Sequence, residues 1–152
     1  MDPMHFLFEY AHYPEGPVQV EDTLYYVEYA RDAIRALPLS EVPAILDEPL
    51  ALDVRTVWSE EGVGPAAVVR GPDDLLWVTG YDGGCVLAVT PEGEVTERLE
   101  ADDQGRPFQG PNDLVFDRRG GLYFTASGAF DIAAPLAGAV YYRPPGGAVR
   151  RG

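Results

Sequence analysis

Two short segments carry the residues best suited to holding a cation: Pro14-Glu15-Gly16-Pro17 and Gln109-Gly110-Pro111-Asn112-Asp113. Glu15 offers a carboxylate and Asn112 an amide carbonyl, and a hard divalent ion such as calcium takes oxygen ligands of this kind. The two residues are far apart in the chain, so they serve one ion only if the fold brings both segments together. Glu and Asn beside Gly-Pro also make ordinary turns, and the residue types alone leave that reading open. Tyr81-Asp82 offers a ring for stacking and a carboxylate for hydrogen bonding to a sugar-like molecule. A turn aspartate is the commoner explanation of Asp82. Gln109 adds an amide beside Asn112.

The rest of the inventory supports little other chemistry. His5 and His12 are the two histidines, both near the start and without metal-ligand spacing to Cys85. Gly-x-Ser-x-Gly is absent, and neither histidine has an assigned partner for a Ser-His-Asp triad. Gly62-Val63-Gly64 lacks the lysine and following helix of a phosphate loop. Asp73-Asp74 and Asp102-Asp103 fall in turns and read as solvated. Cys85 is the sole cysteine and opens the apolar run Cys85 to Val89, which predicts a buried, inert thiol. A formal net charge of -14 argues against nucleic acid and anionic membrane surfaces as partners. It suits a cation, although most acidic residues in such a chain serve solubility. Met1 to Tyr10 lacks the basic residues and continuous apolar stretch of a signal peptide. No run approaches the roughly 20 apolar residues of a membrane span. The expectation is a cytoplasmic protein with a small-molecule partner, no nucleic acid and no membrane.

The elements that position these residues repeat. Gly16-Pro17, Gly64-Pro65 and Gly110-Pro111 each lead into paired strand-like runs, with the prolines 48 and then 46 residues apart. A period of this size is the signature of propeller blades. In the second unit, four strands read in order: Ala66 to Val69, Leu75 to Thr79, Cys85 to Thr90 and Val95 to Leu99. Turns at Arg70-Gly71-Pro72-Asp73-Asp74, Gly83-Gly84 and Pro91-Glu92-Gly93 separate them. The third unit repeats the plan with Leu114-Val115-Phe116, Leu122 to Thr125, Ala139 to Arg143 and a barely begun fourth strand from Ala148. The first unit has Val18 to Val20, Thr23 to Val27, Ala33 to Leu37 and Arg55 to Ser59, with Pro38 to Leu52 as a loop. No amphipathic helix of ten or more residues stands out. The sequence therefore predicts an all-β chain of about three four-stranded blades, near residues 13–60, 61–104 and 108–152, forming part of a propeller ring. Propellers close with four to eight blades, so three require a complement. In such a ring the loops entering the inner strands gather at one mouth, with Glu15 facing Asn112. The loops after the second strands, Glu28-Tyr29, Tyr81-Asp82 and Ser127-Gly128, should face the same mouth.

Several of these segments resemble the senescence marker protein, regucalcin and gluconolactonase family of six-bladed propellers. The resemblance rests on Tyr13-Pro14-Glu15-Gly16-Pro17, on Gly110-Pro111-Asn112-Asp113-Leu114-Val115-Phe116-Asp117, and on Gly120-Gly121-Leu122-Tyr123-Phe124-Thr125. Gly128-Ala129-Phe130-Asp131 and Gly138-Ala139-Val140-Tyr141 also fit, so it runs from about Tyr10 to Val149. It implies a divalent ion, usually calcium, on the propeller axis, with Glu15 and Asn112 as ligands. It also implies a second Asn in an Asn-Gly segment of a later blade, and beyond that an Asp in an Asp-Gly segment that doubles as general base. Neither appears before Gly152. Ala126 stands where the family often has Asp. The implied reaction is hydrolysis of a sugar lactone or similar cyclic ester, with Tyr81, Asp82 and Gln109 toward the substrate. Two expectations compete: an enzyme whose ring is completed elsewhere, with a homodimer as one route, and a catalytically inactive partial propeller that only binds.

Overall fold

The computed structural model describes residues 11–42, 54–129, 131, 133 and 135–152; His5, most of the 38–52 loop and Phe130 lie outside them. Three four-stranded antiparallel sheets follow one another along the chain. The first contains β1 (Pro14–Val20), β2 (Thr23–Glu28), β3 (Ala33–Pro38) and β4 (Arg55–Ser59). The second contains β5 (Pro65–Arg70), β6 (Leu76–Gly80), β7 (Cys85–Val89) and β8 (Val95–Leu99). The third contains β9 (Pro111–Phe116), β10 (Leu122–Ala126), β11 (Ala139–Arg143) and the two-residue β12 (Arg150–Arg151). Within each sheet the strands lie in chain order, each paired with its predecessor. Sequential hairpins of this kind, stacked sheet on sheet, are propeller blades. Among the described residues only two short 3-10 turns interrupt the strands, at Tyr29–Arg31 and Leu39–Glu41. No helix among the described residues is long and apolar enough to cross a membrane.

The middle sheet is the core of the molecule. Its β6 and β7 are buried at every position, as near-continuous apolar strands between two layers should be. On one side Val68, Val78 and Leu87 pack with Val27, Ile34 and Trp58 of the first sheet. On the other, Ala67, Trp77 and Val86 pack with Leu114, Phe124 and Tyr141 of the third. Phe108, in the link before β9, sets its ring edge-on to Phe124 and Tyr141, at 5.0 Å from each centroid. Each such side chain contributes about 1.5–3 kcal/mol on full burial. Arg143 clamps sheets two and three through a fork on Glu97, at 3.0 and 2.6 Å, with its guanidinium 5.5 Å from the Trp77 ring centre.

Strand pairing corrects the register of the repeat. Pro14 pairs with Glu28, Pro65 with Gly80 and Pro111 with Ala126, in each case the last residue of the second strand. The unit therefore begins at Pro14, not Pro17, and the matching prolines are 51 and 46 residues apart. Gly16-Pro17 imitates the Gly-Pro of the later repeats but stands three residues too late.

Candidate functional site

The entry to each innermost strand is built in one way three times. Tyr13, Gly64 and Gly110 all take a left-handed backbone, with φ of 53°, 57° and 63°. Their carbonyls accept hydrogen bonds from the amides just past the second strands: Tyr29 at 3.1 Å, Tyr81 at 2.8 Å and Ser127 at 2.9 Å. Each then continues through the proline into a bulge, where the pairing of the inner strand with its neighbour slips by one residue. A bulge of this kind re-aims the side chain it carries. The residues that follow the three prolines are Glu15, Ala66 and Asn112; Ala66 and Asn112 lie in their bulges, whereas Glu15 pairs with Val27 and stands just before the slip at Gly16-Pro17. Two repeats use glycine where φ is positive; the first uses Tyr13, an uncommon choice outside glycine.

The three strand entries open on one cavity of about 670 Å³, lined by Tyr13, Glu15, Tyr29, Ala66, Tyr81 and Asn112. A carboxylate, a methyl and a carboxamide thus occupy equivalent positions around a common space, between tyrosine rings. Blade two contributes no donor, since Ala66 stands at its position.

Hydrogen bonds fix the cavity wall from blade to blade. The Tyr29 hydroxyl donates to Asp82 Oδ2 at 2.6 Å, and that bond pushes the phenol up to about 12. At the equivalent place in the next blade, the Tyr81 hydroxyl donates to the Gly128 carbonyl at 2.7 Å. Gly110 leaves room for the same ring: a Cβ there would lie 2.7 Å from it. Thr79, fully buried, accepts from the Ala67 amide at 3.0 Å and donates to the Asn112 carbonyl at 2.7 Å.

Of the residues singled out from sequence, Glu15, Asn112 and Tyr81 meet at the cavity. Asp82 stands one step back, with Oδ2 accepting the Tyr29 hydroxyl. Gln109 is exposed and outside the wall; its carbonyl accepts from the Gly128 amide at 2.9 Å. Glu28, expected at the mouth, is instead 2% exposed and paired with Arg31 and Arg35 at 3.4 and 3.6 Å. Asp102, expected in solvent, is buried against Arg106 at 2.7 Å. Cys85 is buried, and that burial raises its thiol to about 11, so it is a weak nucleophile. Tyr29, expected at the mouth, lines the cavity, whereas Tyr13, Ala66 and Thr79 were not singled out. The left-handed Tyr13 was detectable once the register started at Pro14, because it then aligns with two glycines.

Among the described residues the donors at the cavity are oxygens, which fits a hard cation. Glu15 and Asn112 would hold the ion. They supply two of the six to eight oxygens calcium takes, and among the described residues no group of three or more His, Cys, Asp or Glu comes together.

Stacked sequential hairpins with an oxygen-bearing mouth define a β-propeller assembled from part of its ring. The sequence profile of the SMP-30/Gluconolactonase/LRE-like region matches residues 13–151, and the chain belongs to that family. A gluconolactonase of Xanthomonas campestris superposes with a TM-score of 0.76 at 20% identity, over 95% of this chain and 48% of its own. The calcium-binding protein regucalcin of Agrobacterium tumefaciens superposes with a TM-score of 0.63 at 17% identity, over 90% and 46%. Virginiamycin B lyase of Staphylococcus aureus reaches 0.62 at 15% identity, over 93% and 41%. The chain thus spans about half the length of these structures, and at such identities the likeness establishes the fold. No curated protein matches the chain in sequence.

Proposed function

We propose that this chain contributes the Glu15 and Asn112 half of a calcium-dependent lactonase site that hydrolyses sugar lactones or similar cyclic esters. The observation that carries the reading is the pair of equivalent positions after the inner-strand prolines, which present a carboxylate and a carboxamide to one tyrosine-walled cavity. Bound there, a divalent ion supplies Lewis acidity toward a carbonyl oxygen and lowers the pKa of water. Glu15 and Asn112 hold the charge centre. The rings of Tyr29 and Tyr81 bound the space beside it and orient a sugar ring by stacking, with Asp82 and Gln109 as outer hydrogen-bonding groups. The remaining donors and the proton-accepting base come from further blades, supplied by more polypeptide or by a second copy of the chain.

One observation favours a second reading, a binding module without turnover. Among the described residues one carboxylate lines the cavity, and blade two offers a methyl in place of a donor. Calorimetry with calcium chloride, paired with hydrolysis of gluconolactone with and without a chelator, separates the two. Micromolar binding and chelator-sensitive turnover, both lost in Glu15→Gln and Asn112→Ala, are expected. Binding without turnover selects the module, and the absence of both overturns the proposal.

A further inference from the structure

Thr79 is a fully buried polar side chain with both of its hydrogen-bonding capacities in use. Its hydroxyl oxygen accepts from the Ala67 amide at 3.0 Å. Its proton goes to the carbonyl of Asn112, 2.7 Å away and on the next sheet. Ala67 directly follows Ala66 in the blade-two bulge, and Asn112 is the bulge residue of blade three. One hydroxyl thus joins two neighbouring bulges, where their backbones leave regular pairing and have groups to satisfy.

The repeat shows that this is a device and not an accident of one contact. Thr125 is the counterpart of Thr79, one residue before the end of the second strand, and accepts from the amide of Asp113 at 3.2 Å. The first repeat has Val27 there, with no hydroxyl, and Gly16 at the bulge. Gly16 lies so close to blade two that a Cβ would sit 2.6 Å from Ala67 Cα. At the bulges, blades one and two thus meet by close backbone approach, and blades two and three through the threonine.

We infer that Thr79 is the positioning residue for Asn112: through the backbone carbonyl it fixes how far the carboxamide reaches into the cavity. The inference rests on the reading of Asn112 as a cavity ligand, and Thr79 touches neither ion nor substrate. Removing the hydroxyl while keeping the shape, as in Thr79→Val, leaves the Ala67 amide and the Asn112 carbonyl unpaired inside the protein. Thr79→Ser keeps the bond and loses only a methyl.

The test uses the full chain in four versions: wild type, Thr79→Val, Thr79→Ser and Val78→Ala. The last is a control that trims the neighbouring core on the opposite face of the sheet. The Asn112 side-chain amide resonances report its placement without any ion, and calcium titration reports affinity. Expected are displaced Asn112 resonances and roughly 10–100-fold weaker calcium binding in Thr79→Val, with wild-type behaviour in both respects for Thr79→Ser and Val78→Ala. Unmoved resonances and unchanged affinity in Thr79→Val overturn the inference, as does a Thr79→Ser protein no better than Thr79→Val. If Thr79→Val does not fold, Thr79→Ser alone decides: Asn112 resonances displaced beyond those of the Val78→Ala control overturn it, and wild-type positions support it. If the wild type binds no calcium, the ligand reading falls, while displacement of the Asn112 resonances still decides the role of Thr79.

Discussion

At the scale of single residues, the acidic side chains divide into ligand candidates and structural acceptors, and their partners tell them apart. Asp102 belongs to the second kind. Burial pushes its carboxyl up, but the amide and guanidinium of Arg106 and the amide of Gln104 outweigh burial and hold it below the ordinary aspartate value. The unfolded chain then takes up the proton more readily than the folded one. The stabilisation is present above about pH 4 and is lost as pH falls through the depressed folded value. Asp102→Asn is expected to melt lower than wild type at neutral pH, with the gap closing in acid. Melting both from pH 7 to pH 2 checks this, and a constant gap counts against it. Nothing in Asp102-Asp103 as a sequence distinguishes this residue from a solvated turn aspartate. Its environment comes from a loop closed by Arg106 and from the Asp103 amide bound to the Val149 carbonyl, 46 residues on.

At the scale of elements, strand positions were legible because apolar runs and Gly/Pro punctuation are local signals. The all-β architecture, the sheet count and the shared exposure of Glu15 and Asn112 at one mouth follow from them. The register was not, and the reason lies in the bulges. Each inner strand carries one extra residue, so spacing from Gly-Pro to the apolar alternation differs from an ideal strand, and Gly16-Pro17 offers a false anchor. The cross-blade bonds of Thr79, Tyr29 and Tyr81 are equally silent in sequence, since each joins residues from different repeats. Gly16 shows how tightly β1 seats: its φ is +48° and its neighbour is the backbone of Ala67. An alanine there must shift β1 away from β5, at a cost of about 1–3 kcal/mol for overpacking with a further penalty for the left-handed backbone. Urea unfolding of Gly16→Ala should show a lower midpoint at unchanged slope. Wild-type stability would mean that β1 has slack.

For the whole molecule, the decisive asymmetry is between the two outer sheets. The face of sheet two that meets sheet three carries Val69, Trp77, Thr79 and Val86, and the same register places Val115, Tyr123, Thr125 and Val140 on the far face of sheet three. Trp77 and Val86 are 3% and 0% exposed, whereas Tyr123 and Val140 are 40% and 53%. Blade three thus presents an apolar surface with no blade upon it. Sheet one differs: Tyr26 and Leu37, on its side away from sheet two, are already 4% and 0% exposed. A ring made of two copies, head to tail, would need that covered side to receive the open face of the partner. Pairing through two open faces needs no such rearrangement. An open apolar patch favours association, while a charge of -14 on each chain opposes it and is screened by salt. The chain is therefore expected to self-associate with rising concentration, more strongly at high ionic strength. Val140→Lys should abolish this while leaving the melting temperature of the dilute protein near wild type, because position 140 already faces water. Sedimentation velocity across a concentration and salt series checks the expectation. A wild type that stays monomeric throughout removes the second copy as a source of the missing donors, and leaves further blades on another stretch of polypeptide as the way to complete the site.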